Sequence, residues 1–340
     1  MLTVLEKLPE HILDKKAHEL YQLLKGPTLI HLQGQINRPV FISVLLHGNE
    51  TTGWEALRAY LQSLQGKPLP RSVSIFIGNV FAAEYHQRVL DEQLDYNRVW
   101  RDHDSEEGKM MSEVVRQMRE RNVFASIDIH NNTGKNPHYA CINRQEHDFY
   151  QLAHLFSRTV VYFIKPDSVQ SMAFSSLCPA VTVECGLPEH KHGVEHARNY
   201  IEKVMALEAF NNEPLRDEDF DLYHTMATVK IPAEYEFGFM PVNGIDCRKH
   251  DICFEDNIDR LNFTALQAGQ LLARIKTDKP IRLQAVDERG NDVSERYFDY
   301  SNGEIRTKIP LMPSMLTMDK FIVRQDCLCY MLEKIHFPGT

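Results

Sequence analysis

Short apolar runs rich in β-branched residues alternate, in the N-terminal part of the chain, with stretches whose apolar residues recur every three to four positions. Residues 28–32, 40–46, 72–80, 125–130, 159–163 and 179–184 read as strands, while 51–64, 106–121 and 194–210 carry the helical period. Residues 12–24 share that period, with Leu13, Ala17, Leu20 and Leu24 on one face. Helices between successive strands act as crossovers, and crossovers make neighbouring strands parallel. The pattern therefore predicts an α/β fold, a mostly parallel mixed sheet flanked by helices.

The texture changes at the polar run 211–219, where Asn211-Asn212-Glu213-Pro214 suits a linker. Shorter β-like pieces follow at 227–231, 281–286 and 320–323, separated by Gly, Asn, Asp and Pro. A chain of 340 residues exceeds the usual single-core size. Two domains are expected, a catalytic one over 1–215 and a smaller β-rich one over 216–340.

Three of the strands end in groups that bind metals or move protons. The run 40–46 leads into His47-Gly48-Asn49-Glu50, the run 125–129 into His130, and the run 180–183 into Glu184. His offers a neutral nitrogen and Glu an anionic oxygen, the mixed set zinc accepts in hydrolytic sites with a fourth position open. Asp128 lies two residues before His130, so both side chains point to one face and the carboxylate can orient the imidazole. In open α/β sheets, sites gather at the carboxyl ends of strands, which would bring these groups to one rim.

Taken in order, His47-Gly48-Asn49-Glu50, Asp95-Tyr96-Asn97-Arg98, Asp128-Ile129-His130-Asn131 and Val183-Glu184-Cys185-Gly186 resemble the succinylglutamate desuccinylase/aspartoacylase family of zinc carboxypeptidase-like hydrolases. Asn79 with Arg88 nine positions later resembles the family stretch that brings in an arginine, with about two extra residues before Asp95. The likeness covers most of 38–190. Beyond about 215 it is fainter, carried by Leu261-Asn262-Phe263 and the terminal Met331-Leu332-Glu333-Lys334-Ile335. It implies one zinc per chain held by His47, Glu50 and His130, and a water whose pKa is lowered toward about 7. It further implies Glu184 as general base, Arg88 as stabiliser of the tetrahedral oxyanion, and Asn97 and Arg98 as binders of a substrate carboxylate.

Each of these residues has a plainer reading. Arg98 and Asp95 could be a loop ion pair, Asn97 a turn cap, Arg88 part of a solvated helix face, and Glu184 a satisfied buried acid. The coincidence of the whole ordered set favours a hydrolase of an N-acyl amino acid amide. A metallocarboxypeptidase acting on short peptides and a catalytically silent binding protein of the same fold are the alternatives. The other histidines carry no assignment, and His190-Lys191-His192 reads as a solvated loop.

Composition narrows the setting. The formal charge of −9 with scattered basic residues argues against a nucleic-acid partner, and no apolar stretch approaches the roughly 18 residues that cross a bilayer. The N-terminal residues lack a basic start followed by a long apolar segment, so no secretory signal is expected. Seven cysteines, an odd number without framework spacing, suggest reduced thiols in a cytoplasmic enzyme. The expected partner is a small substrate with a carboxylate, and a homo-oligomer stays open.

One departure bears on specificity. Family members that recognise a second carboxylate resemble one another in an arginine about ten residues before the glutamate, but 171–177 here contains no basic residue and Lys165 is the nearest cation upstream. The resemblance then implies a neutral or apolar group seated against Met172 and Phe174, unless Lys165, Arg282 or Arg296 supplies the missing charge.

Overall fold

The computed structural model describes residues 2–240 and 250–336. Among them the chain forms two compact units, one of residues 2–131, 138–222 and 336, the other of residues 132–137, 223–240 and 250–335. The main division thus falls after Leu222 rather than after Leu215, and the short loop 132–137 is counted with the second unit.

In the first unit the strand order is β1 (Thr3–Leu5), β2 (Thr28–Leu32), β4 (Leu69–Ile77), β3 (Gly34–Val44), β5 (Ala125–His130), β8 (Ala180–Glu184), β6 (Tyr139–Ile142) and β7 (Thr159–Tyr162). The central run β4-β3-β5-β8 is parallel throughout, and β2 against β4 and β6 against β8 are antiparallel. Val40 to Val44 are buried without alternation because helices cover both faces of a parallel sheet. Helix α1 (Thr52–Ser63) buries Trp54, Leu57, Tyr60 and Leu61, the three-to-four spacing of a single stripe. Short α2 (Val80–Glu84) is capped by the Asn79 side chain. Helix α3 (Glu106–Glu120) starts at Ser105, whose hydroxyl accepts from the Gly108 N–H, with Glu106 and Glu107 complementing the dipole. Helices α4 (His147–His154), α5 (Gln170–Phe174) and α6 (Lys191–Ala206) complete the unit, with α6 packed on α1.

The second unit is β-rich. Strand β9 (Asp221–Lys230) pairs antiparallel with β13 (Gln284–Asp287) and β17 (Cys329–Lys334), and β17 with β16 (Met312–Ser314). A five-stranded sheet runs β10 (Phe237–Phe239), β11 (Ile252–Phe254), β12 (Leu271–Ile275), β15 (Glu304–Thr307), β14 (Phe298–Asp299). The core of the second unit gathers Phe254, Ile305, Leu283 and Met331. No helix among the described residues is long and apolar enough to cross a membrane.

Several expectations are corrected. Residues 12–24 form two short 3-10 turns, Ile12–Asp14 and Ala17–Gln22, instead of a helix, because Lys15 and Lys16 between them are extended, with ψ 135° and 166°. Residues 320–323 are helical, since Asp319 accepts from the Phe321 and Ile322 N–H groups and caps Lys320–Gln325. Phe174 lines no subsite: it is fully buried, stacked on Phe41 at 4.5 Å and edge-on to Trp100. Cys141, Cys178, Cys185, Cys327 and Cys329 are free, but Cys253 is disulfide-bonded, so a fully reduced set does not hold; Cys247 lies outside the described residues.

Candidate metal centre and active site

The first ligand loop is set by backbone constraints. Beyond β3, Leu45 takes φ 55°, a left-handed conformation unusual for leucine, and its carbonyl accepts from the Asn79 N–H at 2.6 Å. This turns the chain so that His47 and Glu50 are both buried at the end of the sheet. Gly48 between them is required by contact: a Cβ there would lie 2.3 Å from the backbone of Ala82 and Ala83. Its N–H donates to the Arg88 carbonyl at 3.0 Å, tying the loop to the segment that carries Arg88.

His130 is the last residue of β5, adjacent to β3, so the strand ends bring it to the same place. The Glu50 carboxylate lies between the two imidazoles, Oε1 at 2.8 Å from His47 Nδ1 and Oε2 at 2.7 Å from His130 Nδ1. Ligand atoms of the three residues all lie within 4.8 Å of one another, and among the described residues no other group of three metal-ligating side chains does so. The far nitrogens are held as well. His47 Nε2 meets Asp95 Oδ1 at 2.9 Å and His130 Nε2 meets Asp128 Oδ2 at 2.8 Å. With a proton on each Nε2, donated to those carboxylates, each Nδ1 is the nitrogen left to bind a metal. Two nitrogens, one carboxylate and carboxylate-backed imidazoles form a donor set that fits zinc.

Charge balance explains the electrostatics. Burial alone would raise the Glu50 pKa, but His47 and His130 outweigh it and hold the carboxyl well below its ordinary range. Burial would lower that of His130, yet Asp128 and Glu50 outweigh it and hold the proton on. Asp128 is fully buried and takes a second hydrogen bond, 2.7 Å, from the Ser43 hydroxyl.

Glu184 ends β8, which runs parallel to β5 with His130 and Glu184 as register partners. Partners in a parallel pair share a face, so the acid stands beside the ligand. Desolvation raises its pKa to about 7; the histidines oppose that shift, and Glu50 and Asp128 add to it. Arg88 is mostly buried and donates to Glu50 Oε1 at 3.3 Å and Asp95 Oδ2 at 3.1 Å. The helix-face reading of Arg88 is thereby excluded.

Asn97 and Arg98 come to the same rim in different ways. Asn97 Oδ1 accepts from the Gln170 N–H at 3.0 Å, while Nδ2 lies 3.2 Å from His130 Nε2, whose N–H is committed to Asp128. Arg98 is partly exposed and donates to the Asn97 carbonyl at 3.0 Å. Asp95 is the residue sequence reasoning passed over as a loop acid: it links His47, Arg88 and the Asn97 N–H. Burial pushes its pKa up, but His47, Arg88 and Arg98 prevail and keep it ionised. Its place within the Asp-Tyr-Asn-Arg motif was the available signal.

The signature of the succinylglutamate desuccinylase/aspartoacylase catalytic domain matches residues 37–206, half of the chain. No curated protein sequence matches it. Among solved structures, succinylglutamate desuccinylase from Chromobacterium violaceum superposes with TM-score 0.57 and 16% identity, covering 89% of this chain and 86% of that one. Murine aminoacylase 3 gives TM-score 0.53 and 16% identity over 88% and 96% of the two chains. An ectoine utilization protein from Ruegeria pomeroyi gives 0.54 and 13% over 91% and 86%. At these identities the structural neighbours attest a shared fold.

Proposed function

The chain belongs to the succinylglutamate desuccinylase/aspartoacylase family of deacylases, and from that premise we propose that it is a zinc-dependent hydrolase cleaving the amide bond of an N-acyl amino acid. The observation that carries the reading is the register pairing of Glu184 with His130, which sets a carboxylate of raised pKa beside the buried His47, Glu50 and His130.

Bound by those three side chains, zinc would polarise the amide carbonyl and lower the pKa of a water to about 7. Glu184 takes the proton of the attacking water and delivers it to the departing amine, a role suited to an acid whose pKa lies near neutrality. Arg88, fixed by Glu50 and Asp95, presents a cation that cannot lose its proton to the developing oxyanion. Arg98 offers its planar fork and Asn97 its amide N–H to the substrate carboxylate, while Asn97 Oδ1 holds the start of α5 in place. Hydrolysis of N-acyl amino acids, with dipeptides compared in the same panel, tests the class and separates a deacylase from a carboxypeptidase. Absence of turnover by zinc-loaded protein would leave a binding protein.

Specificity follows from the missing cation. Residues 171–177 carry no basic side chain, and Lys165 is already paired with Asp167 at 2.8 Å. A second substrate carboxylate left without a partner costs at least 1–3 kcal/mol. N-acetyl-aspartate is therefore expected to show a kcat/KM about ten- to a hundredfold below that of neutral N-acetyl amino acids. A clear preference for the aspartate derivative would mean that another cation has taken over the task.

A further inference from the structure

Asn131 follows the third ligand in sequence and is buried, 4% exposed. Its N–H donates to Glu50 Oε2 at 3.0 Å. Its side chain reaches two other parts of the site. Oδ1 accepts from the Thr52 N–H at 3.2 Å, while Nδ2 donates to Thr52 Oγ1 at 2.9 Å and to the Gly186 carbonyl at 2.8 Å. Thr52 opens α1 two residues after Glu50, and Gly186 lies two residues after Glu184. One amide thus joins the end of the ligand loop to the turn that follows the base.

Two features make this link specific. Helix α1 receives no side-chain hydrogen bond from its own N-cap residue, Thr51, so the Asn131 oxygen serves an otherwise uncapped first turn. Gly186 has φ 72°, a conformation open to glycine, and its carbonyl is fixed by the amide rather than by sheet pairing. Both a donor pair and an acceptor are needed at this position, and among side chains of this length only an amide supplies them.

We infer that Asn131 is a positioning residue, whose side chain holds the Glu184-bearing turn at a fixed spacing from the Glu50-bearing loop. The inference rests on the hydrolase reading for its effect on turnover, while its effect on the metal site stands apart. The contact to Glu50 is the Asn131 N–H, which substitution keeps, so the side chain acts on the metal site through the Thr52 end of the ligand loop and on Glu184 through Gly186, where a shift of about 1 Å can cost about a hundredfold in turnover.

The experiment compares Asn131→Ala and Asn131→Asp with the native full chain in zinc affinity by chelator competition, thermal midpoint, and kcat and KM on an N-acyl amino acid. In Asn131→Ala, a midpoint lower by a few degrees from the lost cap is expected, with zinc bound a few-fold more weakly through the loosened Thr52 end of the ligand loop and kcat down about tenfold or more. Asn131→Asp keeps an acceptor for the Thr52 N–H but cannot donate to Gly186. Its midpoint should fall less than that of the alanine variant while its kcat falls as far, with KM little changed. Native-like kcat in Asn131→Asp would reduce Asn131 to a helix cap and overturn the inference. Should the native protein hydrolyse no N-acyl amino acid, the hydrolase reading is what fails, and an unchanged zinc affinity in Asn131→Ala would then overturn the positioning role on its own.

Discussion

Replacing Glu184 with Gln is expected to leave the fold and the zinc site intact and to lower kcat by about a thousandfold, within the range of 10²–10⁴ that a positioned general base contributes. The amide has the volume and planarity of the acid it replaces, and it removes a charge that burial and the neighbouring Glu50 and Asp128 disfavour. No cost in stability should follow. What is lost is the basic carboxylate oxygen that receives the water proton. The native pH profile has a matching sign: the base works only when ionised, so kcat/KM rises with pH through the Glu184 pKa. Burial lifts that value from 4.5 to about 7, and a bound cation pulls it back, so the acid limb belongs between these limits. Near-normal kcat in a folded, zinc-loaded Glu184→Gln protein would move the base to another residue.

The parallel core was legible because β3, β5 and β8 are covered on both faces, which makes their apolar runs continuous in sequence. The candidate ligands were legible for a related reason, since a carboxylate or imidazole at the end of such a run stands out against the apolar residues before it. Less could be read where the decisive partner is distant. Strand β6 has four residues, Tyr139–Ile142, and is defined by its antiparallel pairing with β8. Phe174 looked like a pocket residue until Phe41 and Trp100 were seen to enclose it. Asp95 and His47 are 48 positions apart, and Asn131 and Thr52 are 79 apart, so their hydrogen bonds are products of the tertiary fold. The helix over Lys320–Gln325 was missed for a local reason: β-branched Ile322 and Val323 favour a strand, and the Asp319 cap overrides them.

His47→Ala and His130→Ala are each expected to weaken zinc binding by about a hundred- to a thousandfold, so that dialysed protein retains none where the native chain retains one ion. The scale follows from zinc affinities of about 10–16 kcal/mol spread over four ligands in structural sites, or about 2.5–4 kcal/mol for each. The two variants should differ in stability. Loss of His47 leaves Glu50 and Asp95 with Arg88 between them, whereas loss of His130 leaves the fully buried Asp128 with the Ser43 hydroxyl as its remaining short contact. An uncompensated buried carboxylate costs about 3–5 kcal/mol, so His130→Ala should melt earlier, and His130→Gln, which can still donate to Asp128, should recover part of the loss without recovering zinc. The proton on His130 gives a second, independent readout. In the metal-free protein its pKa is raised well above 6.5, so its contribution to stability is complete below 6.5 and disappears as pH rises through the raised value. Zinc must displace that proton, and one proton released makes the apparent affinity fall about tenfold for each pH unit below the raised value. Chelator competition at pH 6 and pH 8 should then differ by up to about a hundredfold for the native chain and by much less for His130→Gln. Equal affinities at the two pH values would mean that the metal-free protein holds no proton on His130 at pH 6, and the place of His130 at the zinc site would then be decided by the alanine variant alone.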